Sequence, residues 1–168
     1  MLFLLDANVL INANRDYYSF ESVPEFWEWI IYCGEKDLVK IPVEIYEELK
    51  DGTDNLSRWM KQPRTKEALL LDEEVDKIIV QKILKEGYGE NLTDSDLEQI
   101  GRDPFLISYA IKDNMGRCVV TSEISKPSRK RENRQLPDVC NTFAIPWCNS
   151  FIFFKELKFS TKWKESIE

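Results

Sequence analysis

Leu2-Phe3-Leu4-Leu5-Asp6-Ala7-Asn8-Val9-Leu10-Ile11 sets a carboxylate and an amide inside an otherwise apolar run. The four residues before Asp6 fit a short buried strand. A lone charge in such company is costly to bury, so Asp6 needs a partner or a task. Two similar runs follow, at residues 38–41, closed by Pro42, and at 118–120 within a strand expected over 117–121. Continuous apolar strands of this kind belong to parallel sheets covered on both faces.

Between the strands the periodicity turns helical. Pro24 opens a helix carrying Phe26, Trp27, Trp29, Ile30 and Ile31 and ending near Gly34, after a polar stretch at residues 12–22. Helices are also expected over residues 43–50, 55–62 and 73–86, the last with Val75, Ile79 and Ile83 four apart. Thr93-Asp94-Ser95-Asp96 has the form of a capping box, and Asp103-Pro104 ends that helix and opens the next, which runs to residue 112. A last strand is expected at 143–145 and a closing helix at 151–157. Strands alternating with helices define an α/β architecture with an open, mostly parallel sheet of four to five short strands and helices on both faces. At 168 residues the chain fits one domain, with an extended helical stretch around residues 55–98.

Composition narrows the chemistry. There is no histidine, which excludes Ser-His-Asp and Cys-His catalysis and histidine zinc sites. Cys33, Cys118, Cys140 and Cys148 form no CxxC pair, and no apolar run approaches membrane-spanning length. The first residues lack a basic flank and a small-residue cleavage site. These features lead to the expectation of a reduced, cytoplasmic protein with no membrane segment.

The net charge of −7 is unevenly spread. Residues 66–98 hold ten acids and four bases, whereas residues 124–168 hold nine bases and five acids. Lys126, Arg129, Lys130, Arg131 and Arg134 crowd one loop against Glu132 alone, a candidate phosphate-binding surface.

In an open parallel sheet, ligands bind outside the carboxyl ends of the strands. Asp6 stands there after the first strand, Glu44 and Glu48 four apart after the second, and Glu123 just past the third. Asp103 opens the helix leading into that third strand. Several acids at one edge repel one another unless a cation neutralises them, and oxygen ligands suit Mg²⁺ or Mn²⁺. Singly, each has a plainer role: Asp103 as a helix N-cap, Glu48 as a solvated helix residue, Glu123 as a loop acid.

The motifs Leu5-Asp6-Ala7-Asn8-Val9-Leu10-Ile11, Glu48-Leu49 after Ile41-Pro42, Asp103-Pro104-Phe105-Leu106-Ile107-Ser108-Tyr109-Ala110 and Val119-Val120-Thr121-Ser122-Glu123 resemble the four acidic motifs of PIN-domain nucleases. The resemblance spans residues 2–146 and points to a bacterial branch near the VapC toxins. The fourth acid is Glu123 where many members carry Asp, and the second motif, resting on position, leaves Glu44 and Glu47 as alternatives to Glu48.

The resemblance implies a three-layer fold and a metal-dependent endoribonuclease acting on single-stranded RNA, often the toxin of a toxin–antitoxin pair. Asp6, Asp103 and Glu123 then hold Mg²⁺ or Mn²⁺, with Glu48 a further ligand and all four acids catalytic. Asn8 and Thr121 support that site, and Arg129, Lys130 and Arg131 meet the RNA. An antitoxin protein and a homodimer are the protein partners to look for. Two other readings stand beside it: a non-catalytic scaffold binding RNA or protein, and a phosphatase of the haloacid-dehalogenase type. The phosphatase needs a second Asp where Asn8 stands.

Overall fold

In the computed structural model, which describes residues 1–167, the opening apolar run becomes strand β1 (Leu2–Leu5), buried over its last three residues. The chain turns directly into α1 (Ala7–Asn12) and a π-helical turn over Ala13–Tyr17. The polar stretch expected from residue 12 is therefore helical as far as Tyr17. Val9, Leu10 and Ala13 are fully buried, and packing of that face outweighs the weak helix propensity of the residues around it.

α2 (Pro24–Glu35) starts at its proline, and β2 (Val39–Lys40) and α3 (Val43–Lys50) follow. Residues 55–98 fold into α4 (Asn55–Met60), α5 (Pro63–Leu69), α6 (Lys77–Ile83) and, after a π turn over Leu84–Tyr88, the start of α7 (Asp94–Ile100). Two findings differ from expectation. α5 has too few apolar positions to announce itself. The helix expected from residue 73 begins at Lys77, because the Asp76 carboxylate accepts from the amides of Ile78 and Ile79 and fixes the N-terminus there. Glu73, left outside, pairs with Arg117. The Thr93–Asp96 capping box forms reciprocally at the head of α7.

α8 (Asp103–Ile111) leads into β3 (Arg117–Val120), then α9 (Leu136–Thr142), β4 (Trp147–Cys148) and α10 (Ser150–Glu156). The strand expected at residues 143–145 is instead the turn that leaves α9. Ala144 there has φ of 53°, a left-handed conformation that no strand contains. The strand forms two residues later.

All four strands are parallel, in the order β2-β1-β3-β4. Phe3 lies opposite both Val39 and Cys118, and Leu5 opposite Val120. A parallel bridge between Ile41 and Leu70 continues the pairing beyond β2. The chain runs outward from β1 to β2, then returns to the other side of β1 as β3. Right-handed crossovers therefore place the helices before and after that reversal on opposite faces, giving three layers. On one face Phe153 of α10 sits 5.2 Å from Phe3 and 5.8 Å from Trp29 of α2. No helix among the described residues is long and apolar enough to cross a membrane.

Gly34 near the end of α2 marks the closest approach to α5. A Cβ there meets the Ala68 carbonyl oxygen at 2.6 Å and Leu69 Cδ2 at 2.7 Å. Backbone cannot yield as a side chain can, so Gly34→Ala should destabilise the fold by about 1–3 kcal/mol. Urea unfolding checks this as a lower midpoint with unchanged slope.

Candidate functional site

The reversal in strand order leaves a crevice beyond the carboxyl ends of β1 and β3, the usual place for a ligand in such sheets. β1 delivers Asp6 to it, and β3 delivers Thr121, Ser122 and Glu123. Asp6 occupies the N-cap position of α1 yet makes no side-chain cap bond. Its carboxylate is instead fastened sideways: Thr121 Oγ1 donates to Asp6 Oδ2 at 2.8 Å, and Asn8 Nδ2 donates to the same oxygen. Asn8 Nδ2 also reaches Thr121 Oγ1 at 3.2 Å, while Asn8 Oδ1 accepts from the Ser122 amide at 2.8 Å. The Glu123 amide closes the network by donating to Thr121 Oγ1 at 3.1 Å. Asn8 and Thr121 thus lock the end of β3 to the start of α1.

Glu123 is held from its other end. Its Oε2 accepts from the Leu136 amide, the first of α9, at 2.7 Å, a favourable place for a carboxylate. Asp103 is not the N-cap of α8, a position taken by Arg102, and makes no cap bond. Its one side-chain partner is the Tyr88 hydroxyl, which donates to Oδ2 at 3.5 Å. The plain helix-cap role is therefore absent, and Asp103 is a carboxylate with its bonding capacity unspent.

Asp6, Asp103, Glu123 and Glu48 all line one pocket of about 280 Å³. Of the three acids of α3, Glu48 is the one that lines it. Glu44 lies against Tyr109, whose hydroxyl donates to Oε1 at 3.4 Å, and Glu47 pairs with Lys50 at 2.7 Å. Gly101, with φ of 64°, turns the chain between α7 and α8 so that Asp103 enters the pocket. Arg102 is its one basic wall.

The electrostatics follow from this crowding. Asp6 is only 7% exposed, and burial, with Glu123 and Glu48 nearby, pushes its pKa up to about 6 against the pull of the Thr121 hydrogen bond. Asp103 is driven well above the usual carboxylate range by burial first, then by the charges of Asp6, Glu123 and Glu48. Both disfavour their charged form in the protein alone, which is the condition a bound cation relieves. The donor set is all carboxylate oxygen, as Mg²⁺ and Mn²⁺ prefer. Among the described residues no three of these acids are already gathered tightly enough to hold a metal. Mg²⁺ is commonly held by one or two carboxylates plus waters, so acids spaced around a pocket fit it.

The basic loop is only partly available. Arg134 donates to the carbonyls of Gly87 and Asp138 and to Thr142. Arg131 donates to the Glu90 carbonyl at 3.1 Å and sits 3.8 Å from Asp96. These two fasten the loop to the π turn, α7 and α9. Lys126, Arg129 and Lys130 are exposed, and their side chains have no bonded partner among the described residues. Arg131, expected to meet RNA, is thus committed to the fold, while Arg129 and Lys130 remain open. Tyr88 and Arg102 were not singled out from the sequence, since an isolated Tyr or Arg carries no motif.

Residues 3–161 match the model of the family described as a domain of unknown function, DUF4411, and the chain belongs to that family. No curated protein and no solved structure matches it.

The raised carboxylates fix a sign for the pH dependence. A carboxyl whose pKa is higher folded than unfolded binds more protons when folded, so stability falls as pH rises through the interval between the two values. For Asp6 that interval runs from about 4 to about 6, and Asp103 adds in the same direction. Metal-free protein should lose about 1–3 kcal/mol of stability between pH 4.5 and 7. Asp6→Asn should flatten that loss and raise stability at pH 7 in EDTA, read by urea titration at each pH.

Proposed function

We propose that this chain is a metal-dependent nuclease of the PIN kind that hydrolyses phosphodiester bonds in single-stranded RNA. The observation that carries the reading is the meeting of Asp6, Glu48, Asp103 and Glu123 in one pocket at the strand-order reversal. Its order of acids along the chain is the one seen in the resemblance to PIN-domain nucleases. The placement of the chain as a toxin with a partner antitoxin rests on that resemblance alone.

Asp6, Asp103 and Glu123 are the residues that hold Mg²⁺ or Mn²⁺, with Glu48 a further ligand directly or through water. When bound, the cation makes water a better nucleophile at neutral pH and neutralises charge on the phosphate. That removes the need for histidine, which the chain lacks. Thr121 and Asn8 fix the Asp6 carboxylate in one orientation, leaving Oδ1 without a side-chain donor. Glu123 keeps its place because the Leu136 amide holds Oε2. Arg102 offers the pocket its one cationic group, suited to a non-bridging phosphate oxygen. Lys126, Arg129 and Lys130 draw the anionic backbone toward a protein that is net negative.

The test is cleavage of a 5′-labelled single-stranded oligoribonucleotide in Mg²⁺ and in Mn²⁺. Wild type should cut and EDTA should stop it. Asp6→Asn should lose at least about 100-fold in rate while remaining folded by circular dichroism. Wild-type rates in Asp6→Asn contradict the reading.

The basic loop makes a separate prediction. Replacing Arg129 and Lys130 together with Ser should weaken RNA binding and reduce its salt slope by about 0.7 for each phosphate no longer neutralised. Anisotropy titrations at several salt concentrations measure it. Arg131 is left in place so that the loop keeps its anchor.

A further inference from the structure

Beside the acid pocket lies a second hollow, of about 420 Å³, between the end of β3, β4 and the start of α10. Glu123 lines both. The new hollow has apolar and aromatic walls in Ile124, Trp147 and Phe151, with Ser122, Ser125, Asn149 and Ser150 between them. Ile124 is 73% exposed and Phe151 is 62% exposed, so two large apolar side chains face water at the rim of a site that handles charge.

The aromatic walls are held rather than loose. Trp147 Nε1 donates to Asn141 Oδ1 at 2.9 Å, which fixes the indole. The Phe151 ring packs 5.2 Å from Tyr17 and 6.0 Å from Phe154. Asn149 Oδ1 accepts from the Ile152 amide at 2.9 Å, and its Nδ2 has no partner among the described residues. Ser122 and Ser150 share one hydrogen bond at 2.9 Å and Ser150 is buried against Tyr17, so the pair closes the floor of the hollow and Asn149 supplies its open donor. The hollow thus offers flat apolar faces with an amide donor beside them.

Charge identifies the occupant. Along the chain the hollow's residues Ser122–Ser125 run directly into Lys126 and the open bases Arg129 and Lys130. An apolar peptide side chain could use the aromatic walls but gains nothing from that basic flank. An unpaired base on an anionic backbone uses the walls for stacking and the flank for its phosphates.

We infer that this hollow is a nucleobase subsite, taking one unpaired base next to the phosphate that enters the acid pocket. The inference rests on the nuclease reading and names what that site selects: a strand free to turn a base out of its stack. Phe151 stacks on the base and Trp147 limits its position, while Asn149 meets its polar edge. A base held in a duplex cannot enter, which makes single strands the substrate.

The experiment uses a fluorescent oligoribonucleotide and a set of its copies, each lacking one base at a different position. Binding is measured by anisotropy in EDTA and cleavage in Mg²⁺, with wild type, Phe151→Ala, Ile124→Ala and Phe151→Tyr. Phe151 is 62% exposed on α10 and is not one of the four acids of the pocket, so the melting temperature of Phe151→Ala should rise on adding Mg²⁺ as much as that of wild type. Wild type should lose about tenfold in affinity at one abasic position. Phe151→Ala should lose a similar factor on intact RNA and become indifferent to that position, and Phe151→Tyr should restore the wild-type pattern.

Phe151→Ala binding intact RNA as wild type does, or keeping full sensitivity to every abasic position, overturns the subsite while leaving the nuclease reading intact. Equal losses on intact and abasic RNA in Phe151→Ala overturn it too, since the ring then acts on something other than a base. Base-dependent binding without cleavage in Mg²⁺ supports the subsite and overturns the nuclease reading.

Discussion

Asp6 and Asp103 share a pocket with Glu48 and Glu123, and the mutual repulsion of these carboxylates is the constraint that the surrounding structure serves. Each acid comes from a different element: the residue after β1, the last turn of α3, the first residue of α8 and the segment after β3. The parallel pairing of β1 with β3 sets Asp6 level with Thr121, two residues before Glu123. Val120, the last residue of β3, lies opposite Leu5, so the next residue of each strand enters the crevice together. The Thr121 and Asn8 hydrogen bonds then offset part of the cost of burying Asp6 without removing its raised pKa. A fold that keeps such a cluster at its reversal point sacrifices some stability there, a common feature of functional sites.

Much of this was legible in the sequence because hydrophobic runs and acids alternate cleanly. A carboxylate after Leu2–Leu5 and another after Cys118–Val120 lie at the same edge of any parallel sheet built from those runs. α3, the Thr93 capping box and α10 followed from local chemistry alone. What stayed hidden depended on contacts distant in sequence. α9 is short, carries Pro137 and Asp138, and owes its burial to Leu136, Val139 and Cys140. β4 consists of Trp147 and Cys148, too brief for a period-2 pattern to register. Asp76 as a cap and Glu73 as the partner of Arg117 required knowing where β3 would lie. The same holds for Arg131 and Arg134, which read as free charge in a basic run and prove to be the loop's anchors.

The charge asymmetry now has a spatial sense. The acidic residues of 66–98 lie largely on α6, α7 and their flanks, and Asp96 and the Glu90 carbonyl engage Arg131 from the basic loop. Acidic and basic segments are thus joined at one seam, while Lys126, Arg129 and Lys130 remain outward. The loop is pinned at its start by Asp138, which accepts from the Ser125 hydroxyl and from the Lys126 amide at 2.8 Å. Open bases on a tethered loop lose less freedom on binding an anion than the same bases on a free tail.

The central claim is that the four acids form a single cation site. Calorimetric titration of Mn²⁺ into wild type, Asp6→Asn, Asp103→Asn and Glu47→Gln tests it most directly, since Glu47 sits on the same helix as Glu48 and pairs with Lys50. Saturable binding in wild type and Glu47→Gln, weakened at least about tenfold in both Asp variants, is the result this account predicts. Mn²⁺ affinity that is the same in all four proteins would contradict it.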